Sequence, residues 1–516
     1  LIPDGSNNNA FGSHALNYNV TGDNNSAFGS YALQKTVDSN NNSAFGYKSL
    51  ANNITSGNSA FGAYALQNNT TGKANTAFGT FALQSNTRST RNSAFGYKAL
   101  RKAVYSNFTS LPFQGQNSAF GAYALENTRW GIENSAFGSQ ALRSNAYGNS
   151  NSAFGVKALT YNIQGSRNSA FGFQALRENR TGQGNSAFGA YALKLDGGNN
   201  TKYNTAVGAR SMEFHISGEA NVAIGAASMW FSNYTQNNVA VGTQALQNAE
   251  GNNNVAVGRS ALRDGVFGGN NVAVGATALK YNYNGYSNTA VGRSALENNS
   301  NGSYNTGIGR RALSGNRTGV GNTAVGVAAL GNFDGRQLIN CVGIGRFAGY
   351  NLITGSTNVT CVGYQAQPSA SLTQNEFTLG NAYVSTLRCN TTTITALSDR
   401  RDKTDIEDLT LGLDIIDKVR PVTYKWDRRE WYDNGVSDGT KLDTNIRVGF
   451  IAQELKALME ETNTEYLDLV LQNNPEKLEA TPGNLFAPLI KAVQELHAKV
   501  KHQGVEIELL KIKLGV

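Results

Sequence analysis

Over the first 365 residues the apolar positions follow neither the 3.6-residue spacing of a helix nor simple alternation. They recur instead as a block, Asn-Ser-Ala-Phe-Gly-x-x-Ala-Leu, followed by a variable polar stretch. The block glycine runs from Gly12 to Gly326 in nineteen copies, and two degenerate copies are assigned to Gly343 and Gly363; 15 of the 20 intervals are 17 residues. Asn stands four residues before the glycine and Leu or Met four after it in each of the nineteen copies; the residue directly before it is Phe in the first eleven, then Val or Ile. A period of 17 is too short for a helix–turn–helix unit. It fits one coil of a β-solenoid, whose short strands stack about 4.8 Å apart. Stacking sets Asn on Asn, where amides hydrogen-bond, and Phe on Phe, where rings pack. A single rung cannot bury its own apolar residues, so many copies are required. Twenty-one rungs predict a rod on the order of 100 Å long.

Departures from the period mark further features. The long interval between Gly96 and Gly121 contains Tyr105, Phe108, Pro112 and Phe113 and reads as a protruding loop. Trp130 and the Trp230/Phe231 pair lie in variable stretches; with that loop they are the candidates for receptor contact or for packing between chains. The change from Phe to Val or Ile near residue 200 marks either two shaft segments of different girth or drift within one ladder. Cys341 and Cys361 are placed in the Ala slot of neighbouring copies as small buried thiols. Gly343-Ile-Gly-Arg-Phe-Ala-Gly349 has the look of a dinucleotide loop but one residue too many and no βαβ setting, so it is a repeat copy. The numerous Asn-x-Ser/Thr sequons follow from turn composition.

From about Gln367 the pattern changes. Phe377-Thr-Leu-Gly-Asn381, Thr386-Leu-Arg-Cys389 and Thr393-Ile-Thr-Ala-Leu397 alternate apolar and polar residues, predicting short strands in a connector over 366–397. A helix is expected over Ala452–Glu461. Near the end, Leu489, Val493, Leu496, Val500, Gln503, Ile507, Leu510 and Leu514 step alternately by four and three, a heptad seam predicting a coiled-coil helix over about 485–514. Pro488 suits its first turn, and Gln503 and Gly504 interrupt the seam.

Composition sharpens the boundary. The 397 residues before Ser398 hold 27 Lys and Arg against 14 Asp and Glu, whereas the rest hold 17 against 22. The chain contains 57 Gly but only 7 Pro, and its strict period argues against disorder. Leu1 in place of Met points to a fragment, so the lack of a signal peptide says nothing about export. No apolar run of about 18 residues predicts a membrane span. The three cysteines, Cys389 being the third, are odd in number and lack metal spacing, and His14, His215, His497 and His502 do not cluster with acids. No cofactor, metal or nucleic-acid partner is expected.

Two resemblances follow from these residues. The Asn-Ser-Ala-Phe-Gly and Asn-Thr-Ala-Val-Gly units resemble the left-handed β-roll repeats of trimeric autotransporter adhesin heads and of viral fibre shafts. That likeness implies three parallel chains, each winding a left-handed coil. The blocks Ser398–Ile406, Arg420-Pro-Val-Thr-Tyr-Lys-Trp426, Val448-Gly-Phe-Ile-Ala-Gln-Glu-Leu455 and Leu489-Ile-Lys-Ala-Val-Gln-Glu-Leu496 resemble, in this order, the intramolecular chaperone of endosialidase family. The family's Ser-Asp-x-Arg-x-Lys pattern falls on Ser398, Asp399, Arg401 and Lys403. This implies a trimerising domain that assists folding of the β-structure before it and then cuts itself off at Leu397–Ser398. Ser398 is the expected nucleophile, Lys403 the general base, and Asp399 and Arg401 the supporting charges.

The chemistry is reasonable on its own terms, because a serine hydroxyl needs a nearby base and no histidine adjoins it. The expected whole is a mainly β protein: a shaft over 1–365, the connector, and an α+β autoprotease over 398–516. It is expected to be a homotrimeric fibre on a virion surface. Its partners would be a host receptor or glycan and, on the amino-terminal side, other virion proteins. The alternatives are a cellular adhesin with the same chaperone and a glycan-degrading fibre. Against the latter, the repeats show no distinctive carboxylate pair.

Overall fold

The computed structural model describes residues 5–103, 115–195, 201–265, 267–331, 337–384, 386–388, 390 and 398–515. The expected loop with Tyr105, Phe108, Pro112 and Phe113 lies outside the described residues, as do Cys389 and Leu397. The chain divides into two compact units, Leu1–Asn381 and Ala382–Val516.

The first unit is a β-solenoid, and its main sheet has 22 strands. Most are three residues long, such as Ser26–Phe28 and Ser43–Phe45, and every pairing along this sheet is parallel. Register is kept by chemistry: Ser26 faces Ser43, Ala27 faces Ala44 and Phe28 faces Phe45. Where Phe gives way to Val the register holds, with Phe188 opposite Val207. Alternation across the strand turns Ala inward, fully buried, and sends its two neighbours outward. The Leu four residues past the glycine joins the core, with Leu33 through Leu193 fully buried wherever described. Each such Leu is worth roughly 1.5–3 kcal/mol against exposure.

The Asn before each strand is the polar half of the interior. Asn42 donates both its backbone N–H and its side-chain amide to Oδ1 of Asn25, each at 3.1 Å. Asn25 Nδ2 in turn donates to the Ser39 carbonyl at 2.8 Å. A buried amide is thereby satisfied turn after turn, which makes so polar an interior tolerable.

The glycine is required by close approach. Gly46 has φ +133°, and a Cβ there would meet the Gly62 carbonyl at 2.7 Å. This stacking of glycine on glycine corrects the assignment of the twentieth turn. Gly326 packs on Gly345, and Ile344 pairs with Val325, so the block glycine is Gly345 rather than Gly343. Cys341 therefore takes the Asn slot, not the Ala slot, and its N–H donates to Oδ1 of Asn322 at 2.9 Å. Cys361 does occupy the Ala slot, opposite Gly343, and burial pushes its thiol pKa up to about 12. The ladder also runs past residue 365. Gln374–Leu379 pairs in parallel with Thr357–Val362, and Gly380 packs under Gly363. Glu376 lies within this last strand, accepting from Ser369 N and Oγ at 2.7 Å each and from Thr373 Oγ1 at 2.9 Å.

The second unit is small. Helices α1 (Leu413–Ile416), α2 (Ala452–Thr462) and α3 (Phe486–Leu514) accompany an antiparallel pair, Val422–Tyr424 with Arg447–Gly449. Ile415, Leu455, Leu458, Met459 and Leu469 form its core. Glu495 on α3 accepts from the N–H of Leu413 at 2.8 Å, which ties α1 to α3. The helix runs unbroken through Gln503 and Gly504, and beyond Ala492 no described residue of it is buried. Among the described residues no helix is long and apolar enough to cross a membrane.

Candidate active site

The Ser398–Lys403 segment folds on itself for local reasons. Asp399 is the N-cap of a short 3₁₀ turn, Arg400–Asp402, its Oδ1 accepting from the Arg401 N–H at 2.9 Å. The chain then leaves in extended form at Lys403, whose N–H donates to the Arg400 carbonyl at 3.2 Å. One such turn carries residue 403 back beside residue 398. Lys403 Nζ lies 2.6 Å from Ser398 Oγ and donates to it. Serine and amine are thus within direct proton-transfer reach.

The charges around the pair are arranged too. Arg401 lays its guanidinium on Asp399, with Nη2 to Oδ2 at 2.6 Å and Nε to Oδ1 at 3.1 Å. The side-chain bond from Arg401 holds the Asp399 carboxyl below the usual carboxylate range, and the same bond raises the guanidinium. Asp399 is therefore engaged sideways and does not bridge to Lys403. Ser398, Lys403 and the residues between them are all exposed in the single chain. On the second helix block, Glu454 pairs with Arg420, a structural ion pair that lowers the carboxyl and raises the guanidinium.

The other sequence candidates are scattered. Trp130 is exposed and packs against Tyr147 at 4.8 Å between ring centroids. Trp230 is half-buried, donates from Nε1 to Glu213 at 3.0 Å and packs with Phe214 and Phe231, so much of its surface is used internally. Strand register sets Trp130 and Trp230 six turns apart, so they form no joint site.

The sequence reading missed a second internal ladder, seven residues past the glycine. Asn69 donates to Asn53 Oδ1 at 2.8 Å, Asn86 to Asn69 Oδ1 at 2.9 Å, and Asn162 to Asn145 Oδ1 at 2.6 Å. These amides lie in what reads as variable loop; the constant offset from the glycine is the signal that finds them. His215 occupies this slot in the twelfth turn, fully buried, with Nδ1 2.8 Å from the Ser232 carbonyl oxygen. Burial lowers its pKa to about 4, against the backbone hydrogen bonds, which raise it. Among the described residues His, Cys, Asp and Glu form no group of three or more placed to hold a metal ion.

Comparison with known families gives one match. Residues 398–464 fit the peptidase family described as chaperone of endosialidase. The matched span begins at Ser398 and takes in the 3₁₀ turn, Lys403 and all of α2, and stops short of α3. The family implies autoproteolytic peptidase activity in general. No curated protein and no solved structure matches the chain.

Proposed function

We propose that this chain, a β-solenoid shaft followed by a chaperone-of-endosialidase segment, is a homotrimeric fibre protein, most readily of a virion. In this reading it frees itself of its own chaperone by cutting at Leu397–Ser398. The 2.6 Å contact between Lys403 Nζ and Ser398 Oγ carries the reading, because it joins a nucleophile to a base at the first residue of the family match.

The reaction is an acyl shift followed by hydrolysis. Neutral Lys403 takes the hydroxyl proton, Oγ bonds to the Leu397 carbonyl carbon, and the Leu397–Ser398 C–N bond breaks. The amine of Ser398 leaves with the proton, and Leu397 is held as an ester on Oγ. Water then hydrolyses the ester, giving a Leu397 carboxylate and a free Ser398 amino terminus. Lysine serves as a base only where burial or neighbouring cations favour its neutral form. The single chain leaves this site open to water, so assembly is assigned the task of closing it.

Two features support assembly. The residue before the block glycine forms an outward apolar stripe, with Phe28, Phe78 and Phe188 in the Phe region and Ile224, Ile308 and Ile344 beyond it all exposed. The α3 seam, from Leu489 through Val493, Leu496 and Val500 to Leu514, is exposed as well. Apolar surfaces of that extent call for partners. The trimer joins identical chains in parallel, holds their shafts in common register and then discards the aligning part, which leaves the fibre kinetically locked.

Intact mass of the assembled protein tests the reading. Wild type should yield a new amino terminus at Ser398 and a released fragment of 119 residues, while Ser398→Ala should remain a 55.0 kDa chain. A wild-type trimer that stays whole would end the proposal.

A further inference from the structure

The shaft segregates its charge around the coil. In the seven residues centred on the block glycine, none of the 22 turns has an Asp or Glu, while nine Lys or Arg occur there. Six of these basic residues fall in every third turn from the third to the eighteenth, one or two positions past the glycine: Lys48, Lys98, Lys157, Arg210, Arg259 and Arg310. Parallel in-register stacking sets the four at the second position in one column and the two at the first position in the column beside it, together a row two residues wide, spaced roughly 14 Å and running roughly 70 Å. Arg293 and Arg346 add charge toward the carboxy-terminal end of the same row.

The lysines are half-buried, and Arg210, Arg259 and Arg310 are exposed. Lys48 and Lys98 rest over the Tyr47 and Tyr97 rings, 5.2 and 4.8 Å from their centroids, which orders them. Among the described residues the side chains of Lys157, Arg259, Arg293 and Arg310 meet no ion-pair partner. Several shaft acids are already taken, Glu126 by Arg143, Glu213 by Lys194, Glu178 by Arg177 and Asp264 by Arg263. Within the row Arg210 faces Glu213 at 3.8 Å, while Lys157, Arg259, Arg293 and Arg310 keep their charge open to an outside partner.

We propose that this row is a binding surface for a linear acidic polysaccharide laid along the shaft. A nucleic-acid strand carries a charge about every 3.4 Å, far denser than the row. A polysaccharide with intermittent carboxylate or sulfate groups fits the wide spacing, and its sugar faces suit the exposed Tyr47 and Tyr97 rings beside the lysines. The inference rests on the shaft alone and is independent of the reaction assigned to Ser398.

The test compares retention of the assembled protein on immobilised heparin, polygalacturonate, neutral dextran and a single-stranded oligonucleotide. The variant Lys157→Gln/Arg259→Ala/Arg310→Ala uses residues that other turns carry in the same slots, such as Gln174, Ala276 and Ala226, so the coil is preserved. A control, Arg129→Gln/Arg167→Gln/Arg180→Gln, removes equal charge from exposed positions off the row. Wild type should bind at least one acidic polysaccharide and not dextran, the row variant should bind at least tenfold more weakly, and the control should change less than twofold. Equal weakening of both variants, no retention by either acidic polysaccharide, or tighter binding to the oligonucleotide would overturn the proposal.

Discussion

At the residue scale, two side chains carry sharp expectations. Lys403→Arg keeps the positive charge but cannot give up a proton, so self-cleavage should fall by roughly 10²–10⁴-fold, read as the uncut fraction by mass. If arginine supported normal cutting, Lys403 would not be the base. His215 gives a pH dependence whose sign is fixed. Its folded pKa is about 4 against an ordinary value of 6.5, so between those values the unfolded chain binds a proton that the folded chain refuses. Stability contributed at this site is intact above pH 6.5 and falls as pH drops toward 4, by about 3 kcal/mol in all. His215→Asn, the residue many turns carry in this slot, should shrink the drop in thermal midpoint between pH 7 and pH 4.5. Carboxylates act equally in both proteins, so the difference isolates the histidine.

At the element scale, each rung is an interlock of Ala, Leu and two amides. Replacing one ladder Asn in mid-shaft, Asn168→Ala, leaves the Asn185 N–H without its acceptor, now 3.0 Å away, and should cost roughly 1–3 kcal/mol. Leu176→Ala should cost roughly 2–5 kcal/mol, since the rigid coil cannot collapse on the cavity. Denaturant unfolding of both, with exposed Arg180→Gln as control, checks the order. The second ladder also settles several sequons. Asn53, Asn69, Asn179 and Asn316 head Asn-x-Thr triplets yet are buried, with amides donating inward, so folded protein made in a glycosylating cell should carry no glycan there by peptide mass mapping. The main ladder was legible because its residues recur in name as well as position. The second was not, since Thr36, Ala103, Thr128 and His215 interrupt it. Also hidden from the sequence was the backbone of the core leucines. Leu33, Leu50 and Leu66 sit at φ near +50°, where local preference calls for Gly or Asn. Burial and rung-to-rung hydrogen bonds outweigh a local penalty of about 1–2 kcal/mol.

At the scale of the whole molecule, assembly and cutting should be coupled. Leu496→Asp with Val500→Asp puts charge into the exposed α3 seam without touching the Ser398 turn. Sedimentation should show loss of the trimer, and mass should show loss of cleavage in the same sample. A monomer that still cuts itself would separate the two and remove assembly from the mechanism. The exposed state of Ser398 and Lys403 in one chain is the reason for that expectation.

The repeat, its polar and apolar slots, the change of composition before Ser398 and the Ser–Lys spacing were all present in the linear chain, because each depends on residue type at a fixed offset. Besides the second ladder and the leucine backbone, folding alone decided that Gly345 is the stacked glycine, that Cys341 closes the Asn ladder, and that one 3₁₀ turn brings an amine to a hydroxyl. Each of these depends on which backbone atoms meet across a rung or a turn. That is decided by the competition of all contacts at once, not by any residue's own preference.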